Sequence, residues 1–280
     1  MSFLQVQHSS PLTFNKYDSP ETRPGLFARL FPSLRFYAHM LRVVWVSGNL
    51  AKKHQYSGDS WVTSSLGMLD ALEMAGVRVH VEGVEKFIGL QSPCVFIGNH
   101  MSTLETFILP CLIQPHKDVT FVVKESLVNY PHFGWVLRAR DPVVVKRQNP
   151  REDLATVLKE GAERLLAGRS VIIFPQSTRS GTLDLKLFNS IGVKLARNAQ
   201  VPVVPVAIKS DAWGCGRILK DFGPIAPQIP VHFKFGAPIT FTDTGKEAHQ
   251  EVVEFIASSL EAWSNALPGG ESDKRLKLEK

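Results

Sequence analysis

At 280 residues, the chain is near the upper size that one hydrophobic core organises, so its length favours one large domain. Hydrophobic residues make up 44% of it and charged residues 21%, a balance that excludes wholesale disorder. The three cysteines, at 94, 111 and 215, form no CxxC pair, which argues against a zinc site and favours a reducing compartment. The net charge of +6 permits an anionic partner without naming one.

Most of that charge lies at the N-terminus, where residues 1–55 hold seven basic and two acidic side chains. The pattern predicts a helix over residues 34–47, with Arg35, His39 and Arg42 on one narrow face and mostly apolar residues elsewhere. At about 1.5 Å per residue this helix is shorter than the roughly 30 Å hydrocarbon core. We therefore expect it to lie in the interface of an anionic membrane. The alternative is a helix packed on the protein's own core, with its arginines in water.

Downstream, short β-branched runs alternate with helical patterns, which predicts an α/β domain with a mixed, largely parallel sheet flanked by helices. We expect an N-terminal arm at 1–55, one globular domain at 56–268, and a charged tail at 269–280, with residues 1–23 and the tail loosely held. The predicted strands are 78–84, 94–98, 119–124, 142–146, 170–174, 203–210 and 231–235, and the predicted helices after the arm are 61–75, 104–112, 152–167, 188–198 and 249–266.

The first candidate site follows the strand at 94–98. His100 lies at the C-terminal end of the strand. If His100 and Glu105 were both in a helix, they would point about 140° apart and could not pair. Ser102 and Glu105 fit a capping box, which predicts a helix beginning at Ser102 with His100 just outside it. The carboxylate is then able to orient the imidazole for proton transfer. The alternative is that Glu105 only caps the helix and that His100 is structural.

A second candidate site follows the strand at 170–174, where small polar residues surround Arg179. The hydroxyls of Ser177 and Thr178 and the guanidinium are donors suited to an oxyanion or a phosphate. Lys124, at the end of the strand at 119–124, is a second cation at the same edge if the strands are parallel. The alternatives are an ordinary polar turn with a surface arginine, and a strand-end lysine in water.

Together these segments resemble the glycerolipid acyltransferase family, which includes the lysophosphatidic acid acyltransferases. The resemblance covers roughly residues 75–240. Residues 99–105, NHMSTLE, match the family's NHxSxx(D/E) motif, and residues 174–180, FPQSTRS, resemble its FPEGTRS motif. Residues 124–147 and 201–208 resemble its second and fourth motifs. The resemblance implies that His100 is a general base, that Glu105 is its acidic partner, and that substrate contacts come from Asn99, Lys124, Ser177, Thr178 and Arg179.

The implied reaction is acyl transfer from a thioester, acyl-CoA or acyl-carrier protein, to the hydroxyl of a lysophospholipid. It implies no metal or redox cofactor and no covalent acyl-enzyme, and the arm implies a peripheral position at the cytoplasmic face of a membrane. The chain departs from the family at Gln176 and Ser177, and at Asn189 and Ser190, where many relatives have two lysines. These changes affect acceptor recognition, because they remove charge near the expected phosphate site.

The sequence is also compatible with two other functions. The same site is suited to hydrolysis of a lipid or thioester, with water as the acceptor. A non-catalytic membrane-binding protein is the alternative from another class, although the intact histidine and glutamate argue against it. Nucleic-acid binding is not expected, because the arm carries no DNA or RNA motif and the rest of the chain is nearly neutral.

Overall fold

The computed structural model describes residues 16–21, 24–176, 179, 187–216, 221–241 and 244–265. Within them, eight strands form one sheet in the order β1-β2-β8-β7-β3-β6-β4-β5. The pairs β1–β2 and β7–β8 are antiparallel and the other five pairs are parallel, which confirms the predicted fold class. The strands are β1 (Lys16–Asp18), β2 (Val79–Glu82), β3 (Val95–Gly98), β4 (Val119–Lys124), β5 (Val143–Val145), β6 (Ser170–Ile173), β7 (Val203–Lys209) and β8 (Val231–Phe235).

Helices cover both faces of this sheet. One face carries α2, α3, α5 and α7, and the other carries α8, α9 and α10. Strand residues alternate between the two layers, so Phe96 packs in the first core while Val95 and Ile97 pack in the second. The helices are α1 (Leu26–Leu30), α2 (Pro32–Lys52), α3 (Gly58–Met74), α4 (Glu85–Ile88), α5 (Leu104–Ile113), α6 (Glu125–Val128), α7 (Phe133–Ala139), α8 (Pro150–Leu166), α9 (Ile191–Asn198) and α10 (Lys246–Asn265).

The prediction that residues 1–23 are loosely held is wrong for residues 16–21. Strand β1 pairs with β2, and Ser19 extends the pairing because its backbone N–H donates to the Val79 carbonyl at 2.9 Å. The Ser19 hydroxyl accepts the Val79 N–H at 2.8 Å. Three residues are too few to show a strand periodicity in the sequence. The charged tail at 269–280 lies outside the described residues.

Helix α2 is longer than predicted, and it has two different faces. Phe36, Met40 and Val43 are buried in the core of the protein, as in the alternative interpretation of this segment. Leu41 and Trp45, on the opposite side, are each 59% exposed. The helix is therefore a packed part of the fold that still presents an apolar surface. None of the helices in the described residues has the length and hydropathy needed to cross a membrane.

Candidate active site

His100 and Glu105 meet where β3 ends and α5 begins. The Nδ1 atom of His100 lies 3.2 Å from Oε1 of Glu105, so the structure brings the predicted pair together. Helix α5 begins at Leu104, as the helical pattern of residues 104–112 predicts, and not at Ser102, as the capping box predicts. The Ser102 hydroxyl accepts the Leu104 N–H at 3.0 Å, which keeps Ser102 itself in the turn. His100 therefore precedes the helix, as the pairing requires.

Glu105 is fully buried but well supplied with donors. Its Oε1 accepts the backbone N–H groups of Met101 at 2.6 Å and Ser102 at 2.9 Å. Its Oε2 accepts the hydroxyls of Ser102 at 3.0 Å and Ser210 at 2.8 Å. Burial raises the pKa of Glu105, but the hydrogen bonds and positive charge of His100, with backbone N–H groups, outweigh it and hold the pKa below its ordinary value. The carboxylate is therefore ionised at neutral pH.

The imidazole of His100 is also fixed on its ring face and at its backbone. Its ring stacks on Phe174 with a centroid distance of 4.6 Å and an interplanar angle of 9°. The backbone N–H of His100 donates to Oε1 of Gln176 at 2.7 Å, and Gln176 is only 3% exposed. The glutamine that departs from the family motif thus holds the histidine loop. Because Glu105 contacts Nδ1, Nε2 is the ring nitrogen that remains for proton transfer.

Asn99 has a different place from the one predicted. Its buried amide donates to the Ile208 carbonyl at 2.7 Å and accepts the Ile208 N–H at 2.8 Å. These two bonds tie the exit of β3 to the neighbouring strand β7. The structure thus gives Asn99 a positioning role in place of the predicted contact with substrate.

Arg179 lines the same cavity as His100, and its guanidinium is already paired. Its guanidinium donates to the hydroxyl of Thr103 and forms an ion pair with Asp221. The other carboxylate oxygen of Asp221 accepts the Tyr130 hydroxyl at 3.3 Å. Asp221 was missed from the sequence, because no local pattern links it to the arginine. Ser177 and Thr178 lie outside the described residues.

A largely apolar cavity of about 460 Å³ opens at His100 and Arg179. Its size is typical of a site for a small organic ligand. Helix α2 forms one wall and approaches the turn before α7 closely, since a Cβ placed on Gly48 would lie 2.7 Å from the Cβ of His132. Its apolar and aromatic lining includes Met40, Leu41, Val44, Trp45, Phe107, Phe121, Val123, Leu127, Tyr130, Phe133, Leu137, Trp213 and Phe222.

Lys124 is not among the described residues that line this cavity. Phe121 and Val123 of β4 face it, whereas Val122 lines a second cavity of about 480 Å³. Since strand side chains alternate, Lys124 is on the same side of β4 as Val122. Strand β4 is parallel to β6, so Lys124 does lie at the same edge of the sheet as the loop that contains Arg179, but its side chain lies on the face away from this cavity.

Residues 78–209 match the protein-family model described as Acyltransferase. The chain is 37% identical over 134 residues to the 1-acyl-sn-glycerol-3-phosphate acyltransferase of Pseudomonas aeruginosa, covering 48% of this chain and 50% of the relative. It is also 31% identical over 153 residues to the Saccharomyces cerevisiae protein of the same name, covering 54% of this chain and 49% of the relative. The chain thus spans half or less of the length of these relatives.

A solved structure has the same fold over more of the chain. It is the 1-acyl-sn-glycerophosphate acyltransferase PlsC from Thermotoga maritima, with a TM-score of 0.64 and 22% sequence identity. The likeness covers 86% of this chain and 98% of the solved one. At this identity the comparison establishes the fold alone.

Proposed function

We propose that the chain transfers an acyl group from a thioester donor, acyl-CoA or acyl-carrier protein, to the hydroxyl of a lysophospholipid such as 1-acylglycerol-3-phosphate. The observation that carries the proposal is the His100–Glu105 pair, at 3.2 Å, placed at the polar end of an apolar cavity. The names of the similar proteins and the match of residues 78–209 to the Acyltransferase family model support the same reaction.

In this reaction, Nε2 of His100 removes the proton from the acceptor hydroxyl while its oxygen attacks the thioester carbonyl. The tetrahedral intermediate collapses, the C–S bond breaks, and the leaving thiolate takes the proton back from the imidazolium. Glu105 holds the ring by Nδ1 and stabilises the imidazolium formed between these steps. No covalent acyl-enzyme is required.

The cavity is suited to an acyl chain, and Arg179 is suited to the phosphate of the acceptor. An acyl chain is apolar, so its burial among the aromatic side chains of the 460 Å³ cavity removes apolar surface from water. The guanidinium of Arg179 matches the phosphate of the acceptor. Ser177 and Thr178 stay predicted donors to the phosphate or to the oxyanion.

The exposed apolar side of α1 and α2 supports binding to an anionic membrane. Trp45 and Leu41 belong both to this surface and to the cavity wall, so an acyl chain has an apolar route from a bilayer to the site. Residues 24–55 contain five basic residues and no acidic one, which favours anionic lipids. Peripheral attachment at the cytoplasmic face remains our prediction. The exposed apolar side chains are Leu26, Phe27, Leu30, Phe31, Leu34, Leu41 and Trp45.

The products of the purified chain test the proposal. With acyl-CoA and 1-acylglycerol-3-phosphate supplied, we expect one diacylated phospholipid for each thiol released, measured by mass spectrometry and a thiol assay. Free fatty acid in place of the diacylated lipid would identify a hydrolase. No thiol release from acyl-CoA or from acyl-carrier protein, with the protein bound to vesicles, would favour the non-catalytic membrane-binding protein.

A further inference from the structure

The arginine proposed to bind the acceptor already holds a carboxylate of the protein. Arg179 and Asp221 are only 23% and 26% exposed, so water screens their pair less than it screens a surface pair. The same guanidinium donates to Thr103, one of the residues that line the cavity with His100. The carboxylate of Asp221 therefore occupies donors at the polar end of the cavity, where an anionic headgroup would lie.

We propose that Asp221 is a specificity-determining residue, which competes with the anionic headgroup of the acceptor for Arg179. This inference rests on the proposed function. A phosphate and a carboxylate both match the guanidinium fork, so the two anions exclude each other from the same donors. An anionic acceptor binds only to the fraction of molecules in which Arg179 has been released, which raises its apparent dissociation constant.

The surroundings of Asp221 suit this exchange. One carboxylate oxygen contacts Arg179 and the other accepts the Tyr130 hydroxyl. After a phosphate takes Arg179, Asp221 retains the Tyr130 hydroxyl as a donor, so it is not left without a hydrogen bond. A neutral acceptor does not use Arg179 and gains nothing from its release. Asp221 therefore lowers the preference of the enzyme for anionic over neutral acceptors.

The test is Asp221→Asn, which removes the charge and preserves the size of the side chain. We expect the KM for a short-chain 1-acylglycerol-3-phosphate to fall about tenfold, which corresponds to Arg179 being paired with Asp221 in about 90% of the wild-type molecules. With the matching neutral monoacylglycerol as the acceptor, both kcat and KM should change less than about twofold. The matched control is Asp141→Asn, which alters the ion pairs of Asp141 with Arg164 and Arg169. Asp141 precedes β5 at the amino end of that strand, away from His100.

A second background shows whether the effect passes through the arginine. In Arg179→Ala, adding Asp221→Asn should leave the KM for the anionic acceptor within about twofold, because there is no guanidinium left to release. An unchanged or raised KM in Asp221→Asn alone, or an equal fall in both backgrounds, would overturn the proposal. If the wild type forms no acylated product, the proposed function fails separately. Calorimetric binding of the anionic lipid to wild type and Asp221→Asn then still tests the competition.

Discussion

Two histidines of this protein, His100 and His232, are both partly shielded and both stacked on an aromatic ring, yet they differ in chemistry. His100 contacts the ionised Glu105 and lines the apolar cavity. His232, in β8, stacks on His80 at 4.7 Å and on Trp263 at 4.9 Å. Burial, followed by the positive charges of His80 and Lys209, lowers the pKa of His232 to about 4. His232 therefore stays neutral at physiological pH.

The difference lies in the partners of each ring and not in burial alone. A carboxylate beside an imidazole stabilises the protonated ring, which a general base must form during the reaction. Cations beside an imidazole oppose that form. Aromatic stacking and partial burial of an imidazole are thus insufficient to indicate catalysis, whereas a carboxylate partner and an adjacent cavity for the substrate indicate it.

Removing the charge of Glu105 should make His100 resemble His232, because neither ring would then have a carboxylate partner that stabilises its protonated form. In Glu105→Gln we expect the rate of acyl transfer to fall about 10²-fold or more, because the amide stabilises the imidazolium poorly and allows the wrong tautomer. Transfer rates and circular dichroism, measured together, separate this loss from unfolding. A folded Glu105→Gln with near-wild-type rates would show that the carboxylate is only structural.

Arg179 lines the cavity next to which the proposed base His100 lies, so its substitution tests the binding of the acceptor there. Arg179→Ala should raise the KM for 1-acylglycerol-3-phosphate about tenfold, the equivalent of about 1.4 kcal/mol of binding free energy, and change the KM for the acyl donor much less. Arg179→Lys should rescue poorly, because an ammonium does not reproduce the planar fork. Unchanged KM values for both substrates would remove Arg179 from the phosphate site.

The apolar surface of α1 and α2 is tested without truncation, because deletion of α2 would remove Phe36, Met40 and Val43 from the core. Leu30→Asp, in α1, should weaken binding to anionic vesicles several-fold by placing a negative charge at the lipid surface. Leu166→Asp, at an 83% exposed leucine in α8 on the opposite face of the sheet, is the matched control. Vesicle sedimentation with equal losses in both variants would contradict a specific membrane-binding surface.

The pH dependence of stability tests whether the pKa of His232 is lowered in the folded protein. Substitution of His232 has the smallest expected effect on activity. The folded-state pKa of His232, about 4, is below the ordinary value of 6.5, so the unfolded chain binds more protons between these values. The free energy of unfolding should therefore fall as pH drops through this window, with a slope that His232→Gln reduces. Urea unfolding at pH 7, 5.5 and 4.5 measures it. A slope identical to that of wild type would mean that His232 titrates alike in both states.

Local patterns predicted most of the fold. All seven predicted strands are present, because each β-branched run is bounded by polar or turn residues, and six long helices follow from their apolar periodicity. The helices α1, α4, α6 and α7 were missed, since none exceeds seven residues, too few for two full turns. The helical pattern placed the start of α5 correctly at Leu104, whereas the capping box placed it two residues early, because Ser102 bonds to Leu104 inside the turn.

The site was predictable only where its residues are close in sequence. His100 and Glu105 are five residues apart, so their spacing and the capping signature predicted their contact. The partners supplied by distant segments were not predictable, because tertiary packing brings them together: Ser210 on Glu105, Gln176 on the His100 backbone and Asp221 on Arg179. The side of the sheet on which Lys124 lies was also missed, although the alternation along β4 contains that information.

The most direct test of His100 as the general base is the rate of acyl transfer in His100→Ala and His232→Ala, measured side by side on 1-acylglycerol-3-phosphate with folding checked by circular dichroism. Loss of a positioned base is typically worth about 10² to 10⁴ in rate. We expect a loss of that size in His100→Ala and a rate within about twofold of wild type in His232→Ala. Retention of most of the transfer rate by a folded His100→Ala, or equal losses in the two variants, would contradict the claim that His100 is the base.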